Sequence, residues 1–204
     1  MPHDATPASA FAEAVVTAHN QDAVMLVMPS DNVVKNLPLV IDIFELAATA
    51  AETGKTLGTV GIAPTYAETG YGYIKLAKGD EVPVPGVYRV DRFVEKPDYE
   101  TAKKYYDDGS YLWNSGMFVW KASSFLANLE RVLPSVAACA TQIKDATDTP
   151  AFEDTVKAVF QKCESISVDY GVMEKARQVY TLPGSFGWDD VGSWSSSLMR
   201  SRLD

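Results

Sequence analysis

The 204-residue sequence is poor in the residues that bind soft metals. It has two cysteines, Cys139 and Cys163, without the spacing of a metal-binding motif, and two histidines, His3 and His19. We therefore interpret the cysteines as reduced thiols, and we do not expect a histidine-based metal site.

Basic residues and long apolar runs are also scarce. Eighteen Lys and Arg stand against 27 Asp and Glu, for a net charge of −9. Nucleic-acid-binding domains usually present a basic face, so no nucleic-acid partner is expected. No apolar run could span a membrane, and the opening MPHDATPASA lacks the order of a signal peptide. The sequence therefore predicts a cytoplasmic protein without a membrane partner.

What the chain does contain is the composition of a folded protein, with 47% apolar and 22% charged residues. Its length suits one domain, residues 1–204. The run AVMLVM at Ala23–Met28 predicts a strand buried on both faces. A helix from Asn36 to about Thr53 and a strand at Leu57–Ile62 follow. This order predicts an α/β fold with a mixed, mostly parallel sheet and helices on both faces.

The opening of the chain is unusual for a doubly wound fold. Such folds normally begin with a strand and a Gly-rich phosphate loop, whereas this sequence begins with a helical pattern. We therefore predict that the first βα unit is absent or is supplied from elsewhere. The strand at Ala23–Met28 would then have an open edge, which predicts a homodimer or an exchanged segment.

Acidic residues mark two candidate cation sites. Asp31 follows the predicted strand Ala23–Met28, where a carboxylate either holds a cation or caps a turn. Asp189 and Asp190 lie in GWDDVGSW, and a final helix is predicted after this segment. Such a pair occurs in surface turns or beside a cation. Two carboxylates from separate segments would suit Mg²⁺, which takes one or two carboxylates with phosphate and water.

Three further segments carry polar groups of the kind that bind sugar phosphates. Glu95-Lys96-Pro97 offers an acceptor for hydroxyls and a mobile cation for phosphate, although most such tripeptides are solvated turns. Gly70-Tyr71-Gly72 allows a ligand to approach the backbone closely, or forms a bulge in a strand over Thr69–Leu76. Trp113–Gly116 supplies an Asn amide, and by itself it predicts a turn before a strand at Gly116–Lys121.

In this order, six segments resemble the mannose-1-phosphate guanylyltransferase (GDP-mannose pyrophosphorylase) family. They are PSD at Pro29–Asp31, TGYGYI at Thr69–Ile74, FVEKP at Phe93–Pro97, WNSGMF at Trp113–Phe118, SVDYGVMEKA at Ser167–Ala176 and WDDVGSW at Trp188–Trp194. The resemblance covers nearly the whole chain. It implies a Rossmann-like nucleotidyltransferase core and the reaction of mannose 1-phosphate with GTP to give GDP-mannose and pyrophosphate.

The resemblance also implies roles for individual residues. Asp31 and Asp190 would ligate Mg²⁺, and Lys96 would bind the sugar phosphate; these three form the expected catalytic set. On the sugar side, the backbone of Gly72 would meet the ring beside Tyr71.

The other sugar-side contacts come from three more segments. Glu95 would bind sugar hydroxyls, Asn114 would contact the mannose ring, and Asp169 would lie at the edge of the pocket.

The sequence departs from the family pattern at both ends. The family's Gly-rich loop, with its Arg and the following Lys, does not precede Met1, and Met1 and Asp4-Ala5 stand where an acidic residue and an Arg-Asn pair are expected. The C-terminal extension of the long forms is also absent. We therefore expect sugar-phosphate binding more readily than turnover. The alternatives are a non-catalytic sugar-phosphate-binding or regulatory module, and a nucleotidyltransferase for another sugar or nucleotide.

Overall fold

The computed structural model describes residues 5–54, 56–79 and 84–190. The helices in these residues are Ala5–His19 (α1), Leu37–Thr53 (α2), Tyr99–Asp108 (α3), Ala122–Val132 (α4), Pro134–Ala146 (α5), Phe152–Phe160 (α6) and Val168–Gly171 (α7), with a 3₁₀ turn at Met173–Lys175. The strands are Val24–Val27 (β1), Asn32–Val33 (β2), Leu57–Ile62 (β3), Tyr73–Leu76 (β4), Tyr88–Val94 (β5), Tyr111–Lys121 (β6), Val179–Gly184 (β7) and Asp189–Asp190 (β8). The predicted final helix lies outside the described residues.

Six strands form one sheet in the order β1-β6-β3-β7-β5-β4, and β2 and β8 form a separate small sheet. The sheet is mixed, as expected, and four strands (β1, β3, β4 and β7) run in one direction. This majority is the mixed, mostly parallel sheet that was predicted, although β3–β7 is the only pair of neighbouring strands that run parallel among the described strands. The reason is that β5 and β6 each lie between strands of the opposite direction.

Helices cover both faces of this sheet, which confirms the predicted α/β layering. The strand β6 shows how the two faces are divided, since neighbouring side chains of a strand point to opposite sides. Phe118 and Trp120 join the apolar cluster beneath α1, α4 and α5. Met117 and Val119 join the cluster beneath α2. That residues 1–204 form a single domain stays a prediction.

Local signals set the ends of two helices. Asn36 caps α2, its Oδ1 accepting from the Leu39 N–H at 3.3 Å, and Asp98 caps α3, its Oδ1 accepting from the Thr101 N–H at 2.8 Å. Gly109 ends α3 with a φ of 72°, a left-handed conformation that glycine adopts readily.

None of the described helices is both long and apolar enough to cross a bilayer. Cysteines 139 and 163 are free thiols, as predicted.

The structure corrects the prediction for β1. A strand buried on both faces was expected, but Leu26 is 44% exposed and its neighbours are only partly buried. The reason is that β1 stands at the edge of the sheet, where β6 is its one partner among the described strands.

The structure also corrects the predictions around Asn114. Trp113–Gly116 was expected to be a turn, but it lies within the eleven-residue strand β6, which pairs with β3 and with β4. Conversely, Thr69–Gly72 was expected to belong to a strand, and β4 begins only at Tyr73. The Asn114 N–H donates to the Gly72 carbonyl at 2.8 Å, so the segment that precedes β4 contacts β6 directly.

Candidate functional site

A cavity of about 540 Å³ lies beside the ends of several strands. It is lined by all eight residues that the sequence predicted for the site. They are Asp31 after β1, Tyr71 and Gly72 before β4, Glu95 and Lys96 after β5, Asn114 on β6, Asp169 on α7 and Asp190 on β8. Six separate parts of the chain therefore converge on one cavity, as expected for a ligand site at the edge of an α/β sheet.

Asp31 and Asp190 are brought to the same side of the cavity by the small sheet of β2 and β8. Asn32, the neighbour of Asp31, pairs with Asp190, and the Trp188 Nε1–H donates to Asn32 Oδ1 at 2.7 Å. No group of three or more His, Cys, Asp or Glu suited to a metal occurs in the described part of the chain. The carboxylate pair still matches what Mg²⁺ needs, because phosphate and water complete its shell.

A tight turn holds β8 in place. Gly187 has a φ of 70°, and a Cβ there would lie 2.9 Å from Lys35 Cβ. The Phe186 carbonyl accepts from the N–H groups of Lys35 and Asn36 at 3.1 and 3.0 Å. A side chain at Gly187 would therefore be both strained and crowded, and it would displace the neighbouring Asp190.

Glu95 is a buried carboxyl group with one unsatisfied oxygen. Its side chain is 9% exposed, and Oε2 is buried without a hydrogen-bond donor among the described residues. Burial raises the pKa of Glu95 to about 7, with a further increase from Asp169, while Lys96 opposes the shift. An acceptor left unpaired in this way carries a desolvation penalty of about 1–3 kcal/mol that a ligand donor would relieve.

Lys96 lies next to Glu95 in a strained conformation. Its φ of 44° is in the left-handed region, which non-glycine residues rarely adopt, and it precedes Pro97. Its Nζ lies 3.8 Å from Glu95 Oε1, and the side chain is 58% exposed. Strain of this kind is concentrated at ligand sites, and the exposed ammonium remains able to reach a phosphate.

Gly72 packs directly against Glu95. A Cβ at this position would collide with Glu95 Oε2 and would lie 3.2 Å from Asn114 Cβ. The lack of a side chain therefore leaves room for the carboxyl group, and it keeps the Gly72 backbone at the cavity wall.

Asn114 is fixed by long-range hydrogen bonds rather than by a turn. Its Nδ2–H donates to Asp169 Oδ1 at 2.8 Å, and its Oδ1 accepts from the Gly116 N–H at 3.3 Å and lies 3.0 Å from Thr59 Oγ1. Burial raises the pKa of Asp169, and the hydrogen bond from Asn114 opposes that shift. Asn114 and Asp169 therefore form a pre-set polar pair, with one amide hydrogen still available to a ligand.

Aromatic rings form one wall of the cavity. The Tyr71 ring contacts Trp113 and Trp188 edge-on, with centroids 5.3 and 5.2 Å apart. Burial raises the pKa of Tyr71, and the nearby acidic groups raise it further, so its hydroxyl stays neutral. Sequence reasoning did not single out Trp188, although its place beside the paired aspartates in GWDDVGSW was an available signal.

Two glutamates were also missed. The Glu95 N–H donates to Glu174 Oε1 at 3.1 Å, and the Gly70 N–H donates to Glu68 Oε1 at 2.8 Å. Glu174 lies in the segment SVDYGVMEKA, so the resemblance could have indicated it. No sequence signal indicated Glu68, because its role depends on the shape of the loop before β4.

Known proteins are similar in sequence to this chain along most of its length. Residues 2–203 match the nucleotidyl transferase family. The chain is 43% identical over 199 residues to the xanthan biosynthesis protein XanB of Xanthomonas campestris pv. campestris, covering 97% of this chain and 41% of that protein. It is 39% identical to a mannose-1-phosphate guanylyltransferase of Klebsiella pneumoniae, covering 93% of this chain and 40% of that protein. The chain thus spans about two fifths of the length of these relatives.

Solved structures share the fold. A Thermus thermophilus protein described as a mannose-1-phosphate geranyltransferase superposes with a TM-score of 0.86 at 31% identity, covering all of this chain and 56% of that one. A UDP-glucose pyrophosphorylase superposes with a TM-score of 0.53 at 14% identity, covering all of this chain and 62% of that one, which is a likeness of fold alone.

Proposed function

Because the chain belongs to the nucleotidyl transferase family, we propose that its cavity holds mannose 1-phosphate for reaction with GTP, giving GDP-mannose and pyrophosphate. Relatives named mannose-1-phosphate guanylyltransferase support this choice of substrates. The observation that carries the proposal is the buried, unpaired Oε2 of Glu95 at the cavity, an acceptor suited to a sugar hydroxyl. A cytoplasmic location remains the sequence-based prediction.

The sugar would be recognised by groups whose positions are already fixed. Glu95 accepts from a ring hydroxyl, and the remaining Asn114 Nδ2–H donates to a ring oxygen. Asp169, held by Asn114, accepts from a second hydroxyl. Because these groups are ordered before binding, little conformational entropy is lost when the sugar enters.

The reaction requires little covalent chemistry from the protein. A phosphate oxygen of mannose 1-phosphate attacks the α-phosphorus of GTP, the new P–O bond forms, and the bond from the α-phosphorus to the bridging oxygen breaks. Pyrophosphate leaves with that electron pair. The attacking phosphate is already an anion, so no general base is needed, and Lys96 offsets the repulsion between the two anions.

Asp31 and Asp190 are the residues that would hold Mg²⁺. Their oxygen donors line the same cavity as Lys96, and the donor chemistry suits this cation. A bound Mg²⁺ would neutralise phosphate charge during the transfer.

Calorimetric titration of the chain with mannose 1-phosphate, with and without Mg²⁺, tests the proposal. We expect saturable binding that Mg²⁺ strengthens in the unmodified chain and not in Asp31→Asn/Asp190→Asn. Glucose 1-phosphate is the matched control, because it differs only in the orientation of one hydroxyl. An assay for GDP-mannose formation is run on the same samples.

The outcomes separate the candidate functions. Absence of mannose 1-phosphate binding under either condition would overturn the site assignment. Tighter binding of glucose 1-phosphate would favour a nucleotidyltransferase for another sugar. Formation of GDP-mannose at saturating GTP would rule out a module that only binds sugar phosphates.

A further inference from the structure

A second cavity, of about 370 Å³, lies between β5, the 3₁₀ turn and the start of β7. Arg89, Arg92 and Arg177 line it, and we refer to it as the arginine cavity. The described part of the chain contains only four arginines, so three of them meet at one place in a protein of net charge −9. The fourth, Arg131, donates from Nη2 to the Lys175 carbonyl at 2.8 Å, beside the same 3₁₀ turn.

An irregularity in β5 allows two of these arginines to share the cavity. Residues three apart on a regular strand point to opposite faces. The pairing of β5 with β4 shifts between Arg92, which is opposite Lys75, and Val90, which is opposite Leu76, so Asp91 is an extra residue at a bulge. Bulges re-aim side chains and are common beside functional sites. Arg89 and Arg92 consequently reach the same cavity.

Two of the guanidinium groups are available to a ligand. Arg92 and Arg177 are exposed, and neither forms an ion pair within 4.0 Å with a carboxylate of residues 5–54, 56–79 or 84–190. A guanidinium presents a planar fork of N–H donors that matches a phosphate group. Arginine is therefore the side chain that phosphate recognition favours.

The remaining lining narrows the class of ligand. Asp91 and Glu174 also face the cavity, and carboxylates accept from hydroxyl groups. Phe93 and Met173 supply apolar surface on the same wall. The cavity of about 540 Å³ that Glu95 and Lys96 line is referred to as the sugar cavity. We propose that the arginine cavity is a second binding site, separate from the sugar cavity, for a phosphorylated small molecule that carries hydroxyl groups, such as a sugar phosphate or a nucleotide.

One residue connects the two cavities. Glu174 lines the arginine cavity, and its Oε1 accepts from the N–H of Glu95, which lines the sugar cavity. A ligand that contacts Glu174 therefore changes the surroundings of the Glu95 backbone. Any coupling between the two sites acts equally in both directions.

The test is a titration of ¹⁵N-labelled chain with inorganic phosphate, mannose 1-phosphate and GMP, followed through the backbone amides of Arg92, Met173 and Arg177. We expect saturable changes in the chemical shifts of these amides. They should persist in Lys96→Ala, which removes the Lys96 ammonium group from the sugar cavity. Affinity at these amides should fall at least tenfold in Arg92→Ala/Arg177→Ala. The control Lys157→Ala/Lys162→Ala removes the same charge from an exposed surface and should bind as the unmodified chain does.

Each outcome decides a part of the proposal. No saturable shift with any of the three probes overturns the site, as does equal binding by the arginine variant and the lysine control. Inorganic phosphate binding as tightly as both esters overturns the recognition of hydroxyl groups. Circular dichroism and thermal unfolding confirm that the exposed substitutions leave the fold intact. Because turnover is not measured, these results are independent of the proposed guanylyltransferase reaction.

Discussion

Two buried glutamates show how the packed core and the sugar cavity differ. Burial raises the pKa of both Glu13 and Glu95 to about 7, and each has an Oε2 without a donor in the described structure. Glu13 lies on α1 with no exposed surface, and its Oε1 accepts from Trp120 Nε1–H beneath the helices. Glu95 lies at the end of β5 and lines the cavity.

The comparison teaches that burial and a raised pKa do not by themselves identify a binding residue. Both carboxyl groups are penalised by desolvation in the same way. Only Glu95 lines the sugar cavity, where a ligand hydroxyl can pair with its unsatisfied oxygen. Glu13 is enclosed by α1 and the sheet, so its unpaired oxygen affects stability alone.

The largest expected effect is on the pH dependence of stability. A folded pKa of about 7 against a usual value of 4.5 means that the folded state holds the proton more tightly. The contribution of Glu13 to the free energy of unfolding is highest below pH 4.5, falls as the pH rises to about 7, and is then constant. The total loss for this group is up to about 3 kcal/mol. Glu13→Gln should therefore gain up to about 3 kcal/mol relative to the unmodified chain between pH 4 and pH 8. Urea unfolding at both pH values measures this, and parallel pH curves would contradict it.

The next effect separates the two glutamates by function. Above its folded pKa of about 7, Glu95 is a charged acceptor that Glu95→Gln removes, and the loss of a hydrogen bond to a charged group is worth about 1.5–3 kcal/mol, so binding is compared at pH 8. Mannose 1-phosphate should therefore bind about ten to a hundred times more weakly. Glu13→Gln is the matched control, with the same chemical change in the core. Calorimetry of both variants makes the comparison, and equal losses would show that the effect arises from the fold.

A pair of glycines extends the comparison to the backbone. A Cβ at Gly58 on β3 would lie 2.7 Å from the Val119 carbonyl oxygen, whereas a Cβ at Gly72 would meet the movable end of Glu95. We expect Gly58→Ala to destabilise the fold by about 1–3 kcal/mol, as overpacking does. Gly72→Ala should displace the Glu95 carboxylate and weaken sugar-phosphate binding with little loss of stability. Thermal unfolding and calorimetry on both variants test this, and the reverse assignment of the two effects would contradict it.

The smallest effect is expected at an exposed carboxylate whose pKa is lowered rather than raised, so its effect on stability changes with pH in the opposite direction. The hydrogen bond from Thr101 lowers the pKa of Asp98 at the start of α3. Its stabilising contribution is therefore present at neutral pH and is lost as the pH falls through the folded pKa. Asp98→Ala should be less stable than the unmodified chain at pH 7, and the difference should shrink in acid. Asp98→Asn, which keeps a capping oxygen, should retain most of the stability, and urea unfolding of both variants at pH 7 and in acid measures these differences.

Sequence reasoning succeeded where structure depends on near neighbours. Asn36 caps α2 through an N–H group three residues away, and the helix predicted from Asn36 to about Thr53 is present as α2. It failed at Asn114, which was expected in a turn, because the partners of this residue are Gly72 and Asp169, far away in the chain. Local turn propensity was outweighed there by pairing within the sheet.

The candidate site divides in the same way. The ordered segments around Asp31, Gly72 and Glu95 were sufficient to predict which residues line one cavity. No local pattern indicated the left-handed backbone at Lys96, or the hydrogen bond from the Glu95 N–H to Glu174. The hydrogen bond depends on how β5 meets the 3₁₀ turn, because Glu174 lies in that turn. The homodimer or exchanged segment that was predicted to cover the open edge of the strand at Ala23–Met28 stays a prediction, to be tested by light scattering across concentrations.

The sequence by itself determined the alternation of helices and strands, the caps, and the chemical identity of eight residues along six segments. These features depend on composition and on contacts within a few residues. The tertiary structure decided that Asn32 pairs with Asp190, and that Glu95 is buried at a cavity while Glu13 is buried in the core. The physical reason is that desolvation and strand pairing depend on distant segments, whose approach no local pattern encodes.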